Sequence, residues 1–141
     1  MSPSLYIIRG LPGSGKSTEA KRIEAKNPNN FRHIEADMYF MVKDKYNFNR
    51  SRLRQAHAWC QSKTEEYLKQ GYNVVVSNTF TTVKEIAPYE DIAKRLNIEL
   101  KVYQMNNDFK NIHNVPEQVL ERMRSRWQDY CGSIQIPSVQ S

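Results

Sequence analysis

Gly10, four further residues, then Gly15, Lys16 and Ser17 stand in the stretch "YIIRGLPGSGKSTEA". This spacing suits one kind of ligand, a chain of phosphates. Glycines let backbone N–H groups converge on phosphate oxygens that a Cβ would keep at a distance. A helix starting after the loop turns its positive end toward the anion. Lys16 then reaches the β- and γ-phosphates and Ser17 offers a hydroxyl to Mg²⁺, while Pro12, Gly13, Ser14 and Thr18 complete the cradle. An apolar strand before the loop and a helix after it separate this pattern from a chance glycine-rich turn. The ligands it implies are ATP, or another nucleoside triphosphate, and Mg²⁺.

What receives the phosphate depends on acids and cations elsewhere in the chain. P-loop motors and switches hold Mg²⁺ with an aspartate at the end of a second apolar strand. Here the most apolar later strand ends "VVVSNT", so Ser77 and Asn78 occupy that place and bring no charge. They are expected to hydrogen-bond to water or substrate. The acid comes earlier, in "HIEADMYF", where Asp37 follows the second strand. A carboxylate there suits proton abstraction from an attacking hydroxyl, with Glu35, of the same parity, as the reserve candidate. Cations over the transferring group are also needed. Lys110 in "NDFKNIHNVP" and the pair Arg122 and Arg126, which share a helix face at i, i+4 spacing, are the candidates. His113 fits a structural loop role as well as a ligand role. No His, Cys and Asp cluster has the spacing of a zinc site.

The elements that must position these residues follow from periodicity. "LYIIR", "FRHIEAD" and "YNVVVS" read as buried strands, the last of them central. "NIELKVYQM" alternates as a half-covered strand does, as at a sheet edge. A helix runs from near Lys16 to "NPNN". A second carries Leu53, Ala56, His57, Cys60, Thr64, Tyr67 and Leu68 on one face, capped by Asn49 or Ser51 and ended at Gly71. Thr82 and Glu85 have capping-box spacing, yet Pro88 predicts a turn and a later start for the third helix. That helix shows Tyr89, Ile92, Ala93 and Leu96 on one face. The last begins at Pro116, turns Val119, Leu120, Met123, Trp127 and Tyr130 inward, and ends at Gly132. Residues 38–52 read as loop or irregular helix.

The order β-α-β-α-β-α-β-α predicts a three-layer αβα domain over residues 1–131. Its sheet is short and mostly parallel, with about four strands, a small lid near 106–115 and a tail at 132–141. Ligands in such sheets sit beyond the carboxyl ends of the strands. The chain has 141 residues, enough for one such domain. At 26% charged and 39% apolar residues it is composed like an ordinary globular chain. No apolar run spans a bilayer, and no signal peptide pattern opens the chain. Cys60 and Cys131 are the only cysteines and are read as reduced, which places the protein in the cytoplasm. The formal charge of +6 favours an anionic partner without choosing one.

The ordered set "GLPGSGKST", "AKNP", "EADMYF", "VVVSNTF" and "NIHNVPEQVLERMRSRW" resembles the kinase domain of phage polynucleotide 5′-kinases. It is similar, more closely, to small P-loop relatives of that family carried by phages and cells and labelled AAA-type ATPases. The likeness covers roughly residues 4 to 130. It implies that Asp37 acts as general base on a hydroxyl and that Lys16 and Ser17 handle phosphates and Mg²⁺. It implies a substrate side of Asp37, Phe40, Thr79 and Val115, with Lys110 in place of a lid arginine that bridges donor and acceptor. Lysine keeps that charge and loses the planar fork. Phe40 stands where the polynucleotide kinase has an arginine used on substrate phosphate, and Phe80 replaces a usual asparagine. For a phage-encoded member the compartment is the host cytoplasm.

Cations interleaved with aromatics, Lys43, Lys45, Arg50, Arg52 and Arg54 among Tyr39, Phe40, Tyr46 and Phe48, suit a single-strand site as well as a helix start with a solvated face. Three readings stay open. The chain moves a γ-phosphate to a hydroxyl of a nucleic acid, foremost a 5′-OH end. Or it phosphorylates a nucleoside, nucleotide or other small hydroxylated substrate, with a modified-base hydroxyl lying between the two. Or it is a nucleotide-binding switch without a transfer substrate.

Overall fold

The apolar run around Ile7 becomes the middle of the sheet. The computed structural model describes residues 3–12, 14–42, 45–46, 52–105, 116–130, 132 and 134–136. Strand β1 (Ser4–Arg9) lies between β5 (Asn73–Asn78) and β6 (Glu99–Met105), with Ile7 in register with Val76 on one side and Val102 on the other. Strand β2 (Phe31–Ile34) pairs with the outer side of β5, and β7 (Ile134–Ile136) with the outer side of β6. All four pairings are parallel, in the order β2-β5-β1-β6-β7.

The four strands expected from the apolar runs are all in this sheet. The fifth is an addition: the segment read as a tail contributes Ile134–Ile136. Strand β6 is consequently interior, not an edge. Residues 38–52 also hold more order than expected. A short 3₁₀ turn (Ala36–Phe40) leads into two antiparallel strands, β3 (Met41–Val42) and β4 (Lys45–Tyr46).

Side chains of β1 alternate between two cores. Leu5 and Ile7 join Val74, Val76 and Val102 beneath helices α2 (Leu53–Lys69) and α3 (Val83–Leu96). Ile8 packs with Val75 and Met105 against Ala20 of α1 (Lys16–Lys26) on the opposite face. This makes three layers, and each fully buried aliphatic side chain contributes about 1.5–3 kcal/mol.

Helix α2 buries Ala56, Cys60, Thr64 and Leu68, as its periodicity predicts, but His57 is exposed. It falls one position round the helix from Ala56, on the solvent side. The expected caps Asn49 and Ser51 lie outside the described residues. Helix α3 starts five residues before Pro88. Thr82 and Glu85 close a capping box, and the Glu85 carboxylate accepts from Thr82 N at 2.9 Å and from the Thr81 hydroxyl at 2.9 Å. Proline in the second turn forfeits one N–H to a carbonyl four residues earlier. The cap upstream and the buried Ile86 and Tyr89 on either side of it outweigh that loss.

Helix α4 (Glu117–Arg126) is shorter than predicted. Only Leu120 of its expected inward face is buried, and Trp127 leaves the helical path with ψ 128°. Among the described residues no helix is long and apolar enough to cross a membrane.

Parallel pairing sends every carboxyl strand end to one margin. From β1 the chain crosses to β2 on one side, and from β5 it crosses back over β1 to β6. Such a reversal opens a crevice at the carboxyl end of the central strand, and the phosphate loop leaves β1 there.

Candidate active site

The loop after β1 is shaped around a close approach. A Cβ on Gly10 would overlap Ser14 Oγ and lie 3.1 Å from Met105 Cβ. Glycine at this position therefore lets the loop fold over its own start. Ser14 N donates to Leu11 O at 3.0 Å, which turns the chain toward α1. Gly15, with φ 89°, takes the left-handed conformation at the N-cap and gives α1 its first hydrogen bond, Glu19 N to Gly15 O at 2.9 Å. No side chain caps this helix, so its first N–H groups remain directed at the crevice. Ser14 Oγ is buried without a hydrogen-bond partner among the described residues. A buried orphan hydroxyl over an uncapped helix start fits a phosphate oxygen as its acceptor.

Lys16, Ser17 and Thr18 occupy the first turn of α1, where the sequence predicts them; Pro12 flanks them and Gly13 lies outside the described residues. Burial pulls the Lys16 ammonium below the usual lysine range, against the opposing pull of Glu35 and Asp37. Both carboxylates are therefore within Coulombic reach of the same cation.

Glu35 follows β2. Its Oε2 accepts the Ser17 hydroxyl at 2.8 Å and the Ser77 hydroxyl at 2.9 Å, and His33 Nε2 stands 3.6 Å away. His33 and Ser77 meet at 2.6 Å across the β2–β5 pair. Burial alone would raise the Glu35 carboxyl; the adjacent His33 ring and the hydrogen bonds from Ser17 and Ser77 outweigh it and hold it at about 2. Ser77 was expected to face water or substrate. Instead its hydroxyl serves Glu35. Asn78 is likewise internal: its Oδ1 accepts from Ala36 N at 2.9 Å and its Nδ2 faces Cys60 Sγ at 3.7 Å.

The bond that Ala36 N donates to Asn78 fixes the start of the 3₁₀ turn that carries Asp37. Asp37 is exposed, on the turn that follows the carboxyl end of β2. Phe40, expected on the substrate side, is 3% exposed and packs with Ala36 and Ala56. Its ring supports the turn from below, because a phenyl group at this place has more to gain from the apolar flank of α2 than from water. Tyr39 lies edge-on to Phe40 and 6.1 Å from Trp59.

Thr79 is half-buried beside the loop, and its carbonyl accepts from Gly10 N at 3.3 Å. One residue on, Phe80 takes φ 49° and turns its carbonyl toward Arg9, whose Nε and Nη2 donate to it at 3.0 and 2.5 Å. The Arg9 guanidinium also lies 4.0 Å over the Trp127 ring. Burial lowers its pKa, opposed by Asp129 and Glu85. Gln128 N donates to Thr81 O at 2.8 Å, and Gln128 Oε1 accepts from Val83 N at 2.8 Å. The start of the phosphate loop, the segment after β5 and the exit of α4 are thus tied together around Arg9. This tie also explains why α4 stops at Arg126: Trp127 and Gln128 turn away to serve it.

Arg122 and Arg126 are exposed on α4. Lys110, His113 and Val115, with the expected lid at 106–115, lie outside the described residues, as do Lys43, Phe48, Arg50 and Cys131.

Sequence reasoning missed Arg9, and it missed Glu35 as a partner of Ser17. A charged residue closing an otherwise apolar strand is itself a signal, since a buried guanidinium must find acceptors.

Residues 5–129 match the model of a family described as an AAA domain. NEDD4-binding protein 2 of Homo sapiens is 26% identical over 147 residues, spanning 97% of this chain. The chain spans only 8% of the length of that relative. Among solved structures, the Mycobacterium tuberculosis APS kinase CysC in complex with AMPPNP and APS aligns with a TM-score of 0.70 at 14% identity, over 99% of this chain and 91% of that one. A chain of the Pnkp1/Rnl/Hen1 RNA repair complex aligns with a TM-score of 0.69 at 16% identity, over 89% of this chain and 44% of that one. These two likenesses are of fold, and the fold is that of a P-loop kinase.

Proposed function

The chain belongs to the AAA domain family, and we propose that it is a phosphotransferase moving the γ-phosphate of ATP to a hydroxyl, foremost the 5′-OH of a polynucleotide. One observation carries this reading. Two carboxylates lie within Coulombic reach of Lys16: Glu35, which accepts from Ser17 and Ser77, and Asp37, solvent-exposed on the turn that follows β2. A nucleotide switch that only hydrolyses has no need of a second acid placed for an alcohol.

Asp37 takes the proton of the acceptor hydroxyl as its oxygen bonds to the γ-phosphorus. The bond from that phosphorus to the β–γ bridging oxygen breaks, and ADP keeps the electron pair. Lys16 balances charge on the β- and γ-phosphates. Lys110, with Arg122 or Arg126 of α4, stabilises the leaving charge. Ser17 would hold Mg²⁺, which would supply further neutralisation of phosphate charge. Thr79 faces the acceptor. The polynucleotide acceptor is supported by the ordered motifs, by the net charge of +6 and by the exposed Arg52 and Arg54 at the start of α2. Its fold likeness to a chain of an RNA repair complex points the same way.

A second reading, a small hydroxylated acceptor such as a nucleoside or nucleotide, is favoured by Phe40. A buried phenyl ring stands at the position where the resembling kinases use arginine on substrate phosphate.

Transfer of labelled γ-phosphate to a panel of 5′-OH DNA, 5′-OH RNA, nucleosides and water tests both. Label on oligonucleotide ends in excess of nucleosides is expected. Label released only as inorganic phosphate overturns the transferase reading.

A further inference from the structure

We infer that Glu35 is the carboxylate that secures the metal of the bound nucleotide at Ser17, reaching from β2 to do what β5 has no acid to do. The inference rests on the nucleotide-binding reading above and adds a residue to it. The expected place for such an acid, the carboxyl end of β5, holds Ser77 and Asn78. Yet β5 has a neighbour there. Strand β2 pairs with it in parallel, with Ile34 in register with Val76, so the residue after Ile34 emerges beside Ser77. That residue is Glu35.

The direction of each hydrogen bond is set by what it joins. A carboxylate only accepts, so Ser17 and Ser77 both donate their hydroxyl protons to Oε2. With its proton given to Glu35, Ser77 Oγ receives from His33, which assigns the proton to Nε2 of that imidazole. The chain runs His33 to Ser77 to Glu35, with Ser17 arriving from the opposite side. Ser17 is thereby oriented with its proton inward and its lone pairs outward, the arrangement a hard cation requires of a hydroxyl ligand. Glu35 Oε1 takes no hydrogen bond among the described residues, and its side chain is 20% exposed. The negative charge therefore remains open on the side of the cradle. With Oε2 already accepting from two serine hydroxyls, Glu35 is committed to the cradle. This assigns the two acids of "EADM" to separate tasks: Glu35 to the metal, Asp37 to the acceptor.

The test measures metal binding without turnover. Mn²⁺ affinity of the protein–AMPPNP complex is read by electron paramagnetic resonance, and metal-free AMPPNP affinity by calorimetry. Glu35→Gln is expected to weaken Mn²⁺ binding about 10–100-fold. Metal-free AMPPNP binding should be unchanged or tighter, since a negative charge near the phosphates is gone. Ser77→Ala, which keeps the acid and removes one of its donors, should give a smaller loss in the same direction. Equal Mn²⁺ affinity in wild type and both variants overturns the inference. Should Glu35→Gln fail to fold, Ser77→Ala decides alone, and wild-type Mn²⁺ affinity in it is fatal to the idea. A wild-type protein that binds Mn²⁺–AMPPNP but phosphorylates no acceptor refutes the transferase reading and leaves this assignment standing. A Glu35→Gln variant with unaltered Mn²⁺ affinity does the reverse.

Discussion

The guanidinium of Arg9 lies 4.0 Å over the ring of Trp127, although 118 positions separate them in the chain. The contact joins the last residue of the central strand to the first residue after α4. With the bonds from Arg9 to Phe80 O, it makes one buried side chain the common support of three segments that border the crevice.

Arg9→Ala should accordingly destabilise the fold by about 2–4 kcal/mol, because it leaves the Phe80 carbonyl without its donors and uncovers Trp127. Arg9→Lys should recover part of this, as lysine donates at a point and cannot both fork and stack. Urea unfolding followed by tryptophan fluorescence reads both. An Arg9→Ala midpoint equal to wild type removes Arg9 from its supporting role.

Gly10→Ala should abolish tight nucleotide binding. The added methyl overlaps Ser14 Oγ and crowds Met105, so the loop must open. We expect AMPPNP affinity to fall by at least about tenfold, equivalent to ~1.4 kcal/mol. Adding Ser14→Ala should recover only part of the loss, because Ser14 Cβ at 3.2 Å and Met105 Cβ at 3.1 Å still press on the new group. Full recovery in the double variant would show that Ser14 Oγ alone sets the fit.

Asp37→Asn should keep AMPPNP affinity near wild type and lower phosphate transfer about 10²–10⁴-fold, the range of a lost general base. Lys16→Ala should lose both nucleotide affinity and transfer. Single-turnover transfer alongside calorimetric binding separates the two cases. Near-normal transfer in Asp37→Asn rules out Asp37 as the base.

Glu85→Ala should cost about 1 kcal/mol, the usual worth of a capping box. The carboxylate receives both Thr82 N and the Thr81 hydroxyl, so its loss frees the segment after β5 as well as the start of α3. Thermal melts give the first effect. Faster amide exchange at Thr82 reports the second, and unchanged exchange there would limit Glu85 to a local role.

The depressed Glu35 carboxyl predicts a pH dependence of stability. Held at about 2 when folded, it binds its proton more weakly than in the unfolded chain. Its stabilising contribution is therefore complete above the ordinary carboxylate range and is lost as pH falls toward 2. The difference in Tm between wild type and Glu35→Gln should be largest near pH 7 and should shrink below pH 4. A constant difference would mean that charge on Glu35 does not contribute.

Much of this architecture is legible in the residues themselves. The runs around Ile7 and Val75 are apolar throughout, as strands covered on both faces must be. Lys16 and Ser17 announce themselves by spacing. What stays hidden depends on contacts distant in the chain. The start of α3 is ambiguous because Pro88 and the Thr82–Glu85 pair point to different starts, and only burial of Ile86 and Tyr89 decides between them. Trp127 continues the α4 periodicity and yet departs from it, since its partner, Arg9, lies at the other end of the chain. Glu35 looks like a lesser copy of Asp37 until β2 is set beside β5 and Ser77 comes into reach. Three residues, Ile134–Ile136, are too few to show any period at all.

Those three residues have an effect on behaviour in a crowded solution. With β7 seated on Tyr103–Met105 of β6, the outer side of the longest strand stays unpaired with described residues only over Glu99–Val102, and the sheet ends in elements of four and three residues, β2 and β7. Borders that short offer little template on which a foreign strand can extend the ladder. Displacing β7 would uncover three further residues of β6, Tyr103–Met105, lengthening a short unpaired margin into a seven-residue one where aggregates begin.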